Sequence, residues 1–141
     1  MELDELRKIA SEGAETTVAV LPGSRPGVAL ARCEIGELPQ NGRSEFAGFA
    51  LSANYDGRGT RGGALSADDE GRVFVHWTVA LGALDEASAR ELVGEMRQVV
   101  LDWRHTLATY EEAYAPGEPA AAAGTDGAQP GGFGAGGFIQ V

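Results

Sequence analysis

Cysteine, lysine and histidine are scarce in this sequence of 141 residues. Cys33 is the single cysteine, so the chain cannot form an internal disulfide or a metal cluster of cysteines. Lys8 is the one lysine, and 21 acidic residues against 11 basic ones give a formal net charge of −10. Nucleic acids and anionic membranes require clustered Arg and Lys, so we expect neither as a partner. The charge favours basic partners instead.

Long apolar runs are also missing. No segment approaches the ~20 apolar residues that a membrane-spanning helix needs. The first residues, Met1-Glu2-Leu3-Asp4-Glu5, are acidic and do not resemble a secretory signal peptide. We therefore expect a cytoplasmic protein that does not insert into membranes.

Groups that perform catalysis are few. His76 and His105 are the two histidines, and their spacing does not match a metal-binding pair. Cys33 lies in an alternating apolar segment (28–35), which favours a small core residue over a nucleophile. These observations predict a protein that is not an enzyme and has no cofactor or metal, although an enzyme with an unrecognised site remains a third alternative.

Two other segments resemble ligand sites only superficially. The glycine-rich segment 57–63 follows a predicted helix and leads into a predicted strand. Phosphate-binding loops have the opposite order, because they follow a strand and open a helix. Asp68-Asp69-Glu70 lacks the spacing of a calcium loop. We interpret the first segment as a connection and the second as a solvated turn.

The pattern of apolar residues predicts seven elements of secondary structure. Helices are expected over 2–11, 44–54 and 85–110, and strands over 16–21, 28–35, 64–67 and 72–81. Ser44 is the expected cap of the second helix, and Asn54 its left-handed stop. The third helix has an apolar stripe at the helical period formed by Leu92, Met96, Val99, Val100, Trp103, Leu107 and Tyr110. The order predicts an α+β fold, with an antiparallel sheet that carries its helices on one face.

The composition changes near the end of the third predicted helix. Residues 1–112 form the predicted α+β domain, and residues 113–141 are a tail rich in Ala, Gly and Pro that we expect to be disordered. Phe133 and the segment 138–141 are apolar exceptions within this tail. They are either inert or a tip that docks in an apolar groove of this chain or another.

The predicted second helix carries more aromatic surface than a small domain easily covers. Phe46 and Phe49 lie on one of its faces together with Ala50 and Ala53. Burial of a phenylalanine contributes roughly 1.5–3 kcal/mol, so this face should be covered. A core position and a dimer interface explain it equally well.

Between about residues 28 and 107, the order of motifs resembles a known family. Ile35-Gly36-Glu37-Leu38-Pro39 is followed by a helix that ends Ala50-Leu51-Ser52-Ala53-Asn54-Tyr55. The glycine-rich segment, the acidic turn 68–71, a strand over 73–81 and a helix with Trp103 near its end complete the pattern. The sequence is similar to the class I chaperones of type III secretion systems, the Tir-chaperone family.

This resemblance implies an α+β homodimer without nucleotide or metal. Such chaperones bind the N-terminal segment of a secreted effector or translocator, partly by adding strands to the sheet, and keep it competent for export. The resemblance places the dimer interface at Phe46, Phe49, Ala50 and Ala53. It places partner-binding residues at Leu3, Leu6, Ile9, Val18, Val20, Val28 and Leu30. A regulatory or adaptor module of the same fold is the alternative function.

The chain departs from the family in its first half. Two strands are expected before the second helix, where the family usually has three. The missing strand belongs to the region that helps to bind effectors, so the mode of binding is open.

Overall fold

A computed structural model of the chain describes residues 1–13 and 16–115. Along these residues it contains α1 (Leu3–Ser11), β1 (Ala19–Pro22), β2 (Val28–Glu37), α2 (Arg43–Asp56), β3 (Ala64–Ala67), β4 (Arg72–Ala80) and α3 (Glu86–Ala113). Short 3-10 turns at Arg58–Thr60 and Leu81–Ala83 follow α2 and β4. The predicted order of helices and strands is confirmed. The tail from residue 116 lies outside the described residues, so its predicted disorder stays a prediction.

The four strands form one antiparallel sheet in the order β1-β2-β4-β3. Successive side chains of a strand point to opposite faces, and burial alternates accordingly along β2 and β4. The side chains of one face are buried: Val20, Ala29, Ala31, Cys33, Leu65, Val73, Val75, Trp77 and Val79. The predicted α+β class is therefore confirmed.

The helices pack on this buried face of the sheet. α3 contributes Val93, Met96 and Val100, all at most 2% exposed, to the same core as the strands. α1 adds Leu6 and Ile9. The opposite face of the sheet has no helix against it within the described residues, in agreement with the prediction of helices on one face.

Arg97 of α3 fastens the end of α1. Its Nη2 donates to the carbonyl oxygens of Ala10 at 2.8 Å and Glu12 at 3.2 Å. The last carbonyls of a helix have no partner within the helix, so a guanidinium group at this end satisfies them. The contact ties the first helix of the chain to the last one.

The ends of α2 differ from the prediction. Gly42, with a φ of 74°, precedes the helix, and Ser44 lies inside the first turn without capping it. Gly57, with a φ of 70°, ends the helix in the left-handed conformation. Asn54 is therefore not the stop, and its side chain bonds to β3 instead. Asp85, the predicted first residue of the third helix, caps α3, since its side chain accepts from the Ser88 N–H at 2.8 Å.

A bulge in β2 brings α3 close to the sheet. The register between β2 and β4 shifts between Glu34 and Gly36, and Gly36 has a φ of 145°. A Cβ atom at Gly36 would lie 2.7 Å from Cδ2 of Leu107, well inside van der Waals contact. Glycine therefore provides both the backbone conformation and the space for α3.

Two tryptophans hold the connection between α2 and β3. The Nε1–H of Trp77 donates to the Thr60 carbonyl and that of Trp103 to the Gly59 carbonyl, each at 2.8 Å. The Thr60 hydroxyl is fully buried and donates to the Gly63 carbonyl at 2.6 Å. The glycine-rich segment is thus a packed part of the domain.

Candidate partner-binding surface

The outer face of the sheet is a surface that the chain's own helices leave open among the described residues. Leu21 of β1, Leu30 of β2 and Thr78 of β4 lie side by side across it. Leu21 and Leu30 are half-buried, although no helix lies above them. Paired apolar side chains on an uncovered sheet are a feature of association surfaces.

The next two cross-strand pairs along this face combine aromatic and charged groups. Arg32 lies opposite His76, and its guanidinium carbon is 5.0 Å from the centre of the Phe74 ring. A cation at this distance is attracted to an aromatic face. Glu34 is the cross-strand neighbour of Phe74. The face can therefore offer an apolar patch, a cation and an anion to an extended peptide.

A cleft of about 670 Å³ opens at one end of the sheet. It lies between the start of α1, the β1–β2 turn and the 3-10 turn after β4. Apolar lining residues include Leu3, Pro22, Val28 and Leu81. Leu3 and Val28 belong to the predicted partner-binding set, so the structure brings these two together.

The remaining predicted partner-binding residues divide between two environments. Leu6, Ile9, Val18 and Val20 are at most 7% exposed and pack in the domain core. Leu30 lies on the outer face. The four core residues are covered by this chain's own atoms, so a partner in contact with this region meets Leu3, Val28 and Leu30 first. Leu21 and Phe74 also lie on the outer face but were not among the predicted residues. Along their strands, both alternate with residues of the core.

The predicted interface residues on α2 also differ in exposure. Phe46 is 1% exposed beneath the rings of Trp103 and Tyr110, whereas Phe49 is 45% exposed. Ala50 and Ala53 are half-buried. Phe46 is thus a core residue, whereas Phe49, Ala50 and Ala53 reach the surface.

A second apolar face of α2, which the sequence analysis missed, points away from the domain. Leu51 is 69% exposed and Tyr55 is 92% exposed. With Gly48 and Ser52, they occupy helical spacing on one side of α2. The absence of any charged residue between Glu45 and Asp56 is the signal in the sequence, since a solvated helix face normally carries charge.

The two histidines lie on different elements of the structure. His76 lies on the outer sheet face and His105 on the exposed side of α3. Residues 1–13 and 16–115 contain no group of three His, Cys, Asp or Glu side chains placed to hold a metal. Burial raises the pKa of the Cys33 thiol, which disfavours the reactive thiolate although Arg104 opposes the effect.

Backbone N–H groups of the glycine-rich segment form hydrogen bonds within the segment itself. The N–H groups of Arg61, Gly62 and Gly63 donate to carbonyls within residues 57–60. They are therefore not available to bind a phosphate. This agrees with its interpretation as a connection.

In the described part of the chain, no helix combines the length and the apolar character that crossing a membrane demands.

Comparison with known proteins gives a match among solved structures. No family model matches the chain. No curated protein matches it either. Among solved structures, it is similar to a chain in the structure of the heterodimeric complex ExoU-SpcU from the type III secretion system of Pseudomonas aeruginosa. The two chains are 16% identical with a TM-score of 0.48, over 82% of this chain and 99% of that chain.

Proposed function

We propose that this chain is a cytoplasmic chaperone that binds the N-terminal segment of a type III secreted effector or translocator and keeps it competent for export. The observation that carries the proposal is the open outer face of the sheet, where Leu21 and Leu30 form an apolar pair and Phe74 lies further along β4, without a covering helix. The motif order that resembles class I chaperones supports the same function. The net charge of −10 favours partner segments that carry basic residues.

The active form in this proposal is a homodimer that joins through α2. A two-fold axis presents the same patch of both subunits to each other, so a single apolar face suffices. Leu51 and Tyr55 provide such a face, and Phe49, Ala50 and Ala53 flank it. Two α2 helices can approach closely at Gly48 and Ser52, because these side chains are small.

The protein in this proposal has no catalytic activity and no cofactor. A regulatory or adaptor module of the same fold is the second candidate, because the open sheet face could equally hold a segment of a folded regulator. The two functions differ in what is bound. A chaperone binds an unstructured export segment, whereas an adaptor binds a folded protein.

Capture of partners from the native strain tests the proposal. The full-length protein is used as bait beside Leu30→Ser on the outer face and Leu101→Ser on α3. Leu101 is 50% exposed and lies on the opposite side of the molecule, so its variant is a matched loss of an exposed leucine. We expect Leu30→Ser to reduce capture of one secreted protein at least tenfold and Leu101→Ser to leave it unchanged.

The identity and the shape of the captured protein then separate the candidates. Limited proteolysis of the complex should protect a segment near the N-terminus of a secreted protein. Protection of an entire folded regulator would favour the adaptor. Unchanged capture by Leu30→Ser would place the binding surface elsewhere and overturn the proposal. An equal loss in both leucine variants, with unchanged melting temperatures, would overturn it as well, because the loss would not be specific to the outer face.

A further inference from the structure

The edge strand β3 is bonded along its open side by a side chain. The Asn54 amide donates from Nδ2 to the Leu65 carbonyl at 2.9 Å, and its Oδ1 accepts from the Leu65 N–H at 2.8 Å. In an antiparallel pair, alternate residues direct both backbone groups away from the partner strand. Leu65 directs both groups to the open edge of β3, and the amide occupies them as a neighbouring strand would.

The other edge strand, β1, is closed by different means. Nε of Arg7 donates to the Val20 carbonyl at 2.9 Å. The next outward-directed residue, two positions further along, is Pro22, which has no N–H to donate. A strand that approached β1 would therefore find one acceptor occupied and one donor missing.

Exposed edges of a sheet are templates for pairing with other chains, and proteins usually obstruct them. The obstruction on β3 rests on Asn54, because Ala64-Leu65-Ser66-Ala67 has no charged side chain and no proline. We propose that Asn54 is an edge guard: its side-chain amide occupies the positions on β3 that β3 of a second copy of this chain would otherwise pair with. β3 against β3, antiparallel about a two-fold axis, is the assembly that Asn54 prevents.

One consequence rests on the proposed function. The resemblance implies that partners are held partly by strand addition, and both edge strands of this sheet carry an obstruction to it. The partner segment is then held by side-chain contacts on the outer face, around Leu30 and Phe74. The edge guard itself does not depend on this function, so it can be tested on the purified protein alone.

The test compares Asn54→Ala with Arg7→Ala in the full-length protein. Arg7→Ala is the matched control, because β1 stays blocked by Pro22 after the guanidinium is lost. Asp85→Ala removes the cap of α3 and serves as a control for general destabilisation. Sedimentation velocity over a hundredfold range of protein concentration measures association, and amide hydrogen exchange measures protection of the Leu65 N–H.

For Asn54→Ala, we expect exchange at Leu65 to accelerate at least tenfold in dilute protein. As concentration rises, Leu65 should regain protection while species of twice the wild-type mass appear. Arg7→Ala and Asp85→Ala should keep the wild-type mass. Adding Ser66→Lys to Asn54→Ala should restore the wild-type mass, because a charge on the edge opposes pairing.

Three results would overturn the proposal. The first is an Asn54→Ala protein that keeps the wild-type mass at every concentration. The second is association in which Leu65 stays unprotected, since this would show contact through another surface. The third is the same association in Asp85→Ala, which would assign the effect to partial unfolding.

Discussion

The indole Nε1–H of Trp77 reaches from the sheet to the carbonyl oxygen of Thr60, at a distance of 2.8 Å in a buried site. Because an indole has a donor and no acceptor, its burial requires such a carbonyl. Trp103 repeats the arrangement from α3, with Gly59 as its acceptor. A connection rich in glycine is thereby fixed from two sides, and the positions around it tolerate little change.

We expect Gly63→Ala to destabilise the protein by about 1–3 kcal/mol, as overpacking of a filled site usually does. A Cβ atom at Gly63 would lie 2.6 Å from Nε1 of Trp77 and 2.7 Å from the His76 carbonyl oxygen. Urea unfolding measures the change. Gly94→Ala, in an exposed part of α3 with open space around it, should instead stabilise by roughly 0.5–1 kcal/mol. Equal effects of the two substitutions would contradict the prediction.

The two sides of α2 should respond differently to substitution. Phe46→Ala removes a buried ring that packs edge-on to Trp103, and we expect a loss of about 3–5 kcal/mol. Leu51→Asp alters a side chain that only a second subunit would cover, so it should leave a folded monomer. Light scattering and circular dichroism measure mass and fold. A wild-type protein that is monomeric at micromolar concentration would contradict the proposed dimer.

Phe49→Asp is a less clean test of the same interface. The Phe49 ring lies 5.6 Å from that of Trp103 and 5.9 Å from that of Tyr110, so its loss also disturbs packing within the subunit. We expect monomer or unfolded protein from this variant. A stable dimer would place Phe49 outside the interface.

Acid should weaken the start of α3. Hydrogen bonds from the Ser88 N–H and hydroxyl lower the pKa of Asp85 in the folded state. The carboxylate therefore stabilises the fold above the unfolded pKa of about 3.9, and this contribution is lost as pH falls through the lower folded pKa. Asparagine caps helices without titrating, so Asp85→Asn should flatten the fall of unfolding free energy below about pH 4. Urea unfolding at a series of pH values checks this, and parallel curves would contradict it.

Removal of the tail should leave the domain intact. We expect a chain that ends after Tyr114 to keep its oligomeric state and to melt within ~5 °C of the wild type, an interval that corresponds to about 1 kcal/mol. A chain that ends after Glu112 should melt lower, because it lacks Tyr114, whose ring stacks 6.3 Å from Tyr110. A larger loss from the first truncation would mean that Phe133 or the segment 138–141 packs on the domain.

A helix could be predicted from the sequence where an apolar stripe at the helical period begins at a residue that favours helix starts. The stripe on α3 and the start of this helix at Asp85 are both local patterns, and both are found in the structure. The stop of α2 was predicted wrongly at Asn54, because the alternative role of this residue depends on Leu65, 11 positions away. A helix-ending asparagine and an asparagine that bonds to a strand look the same in a sequence.

The candidate surface was harder to predict for a related reason. Val20 and Leu30 are both apolar residues of predicted strands, and only strand register decides which face of the sheet each one occupies. Register depends on pairing between β2 and β4, whose residues are more than forty positions apart for most pairs. The resemblance indicated the region, but it could not separate core residues from exposed ones.

The hydrogen bond from Arg97 to the Ala10 carbonyl can form only late in the synthesis of the domain. Synthesis begins at the N-terminus, so α1 leaves the ribosome nearly ninety residues before Arg97. Leu6 and Ile9 share one core with the buried residues of α3, so their burial is complete only after α3 has emerged and packed on the sheet. α1 is synthesised before α3, yet part of its apolar surface is covered only by that later helix.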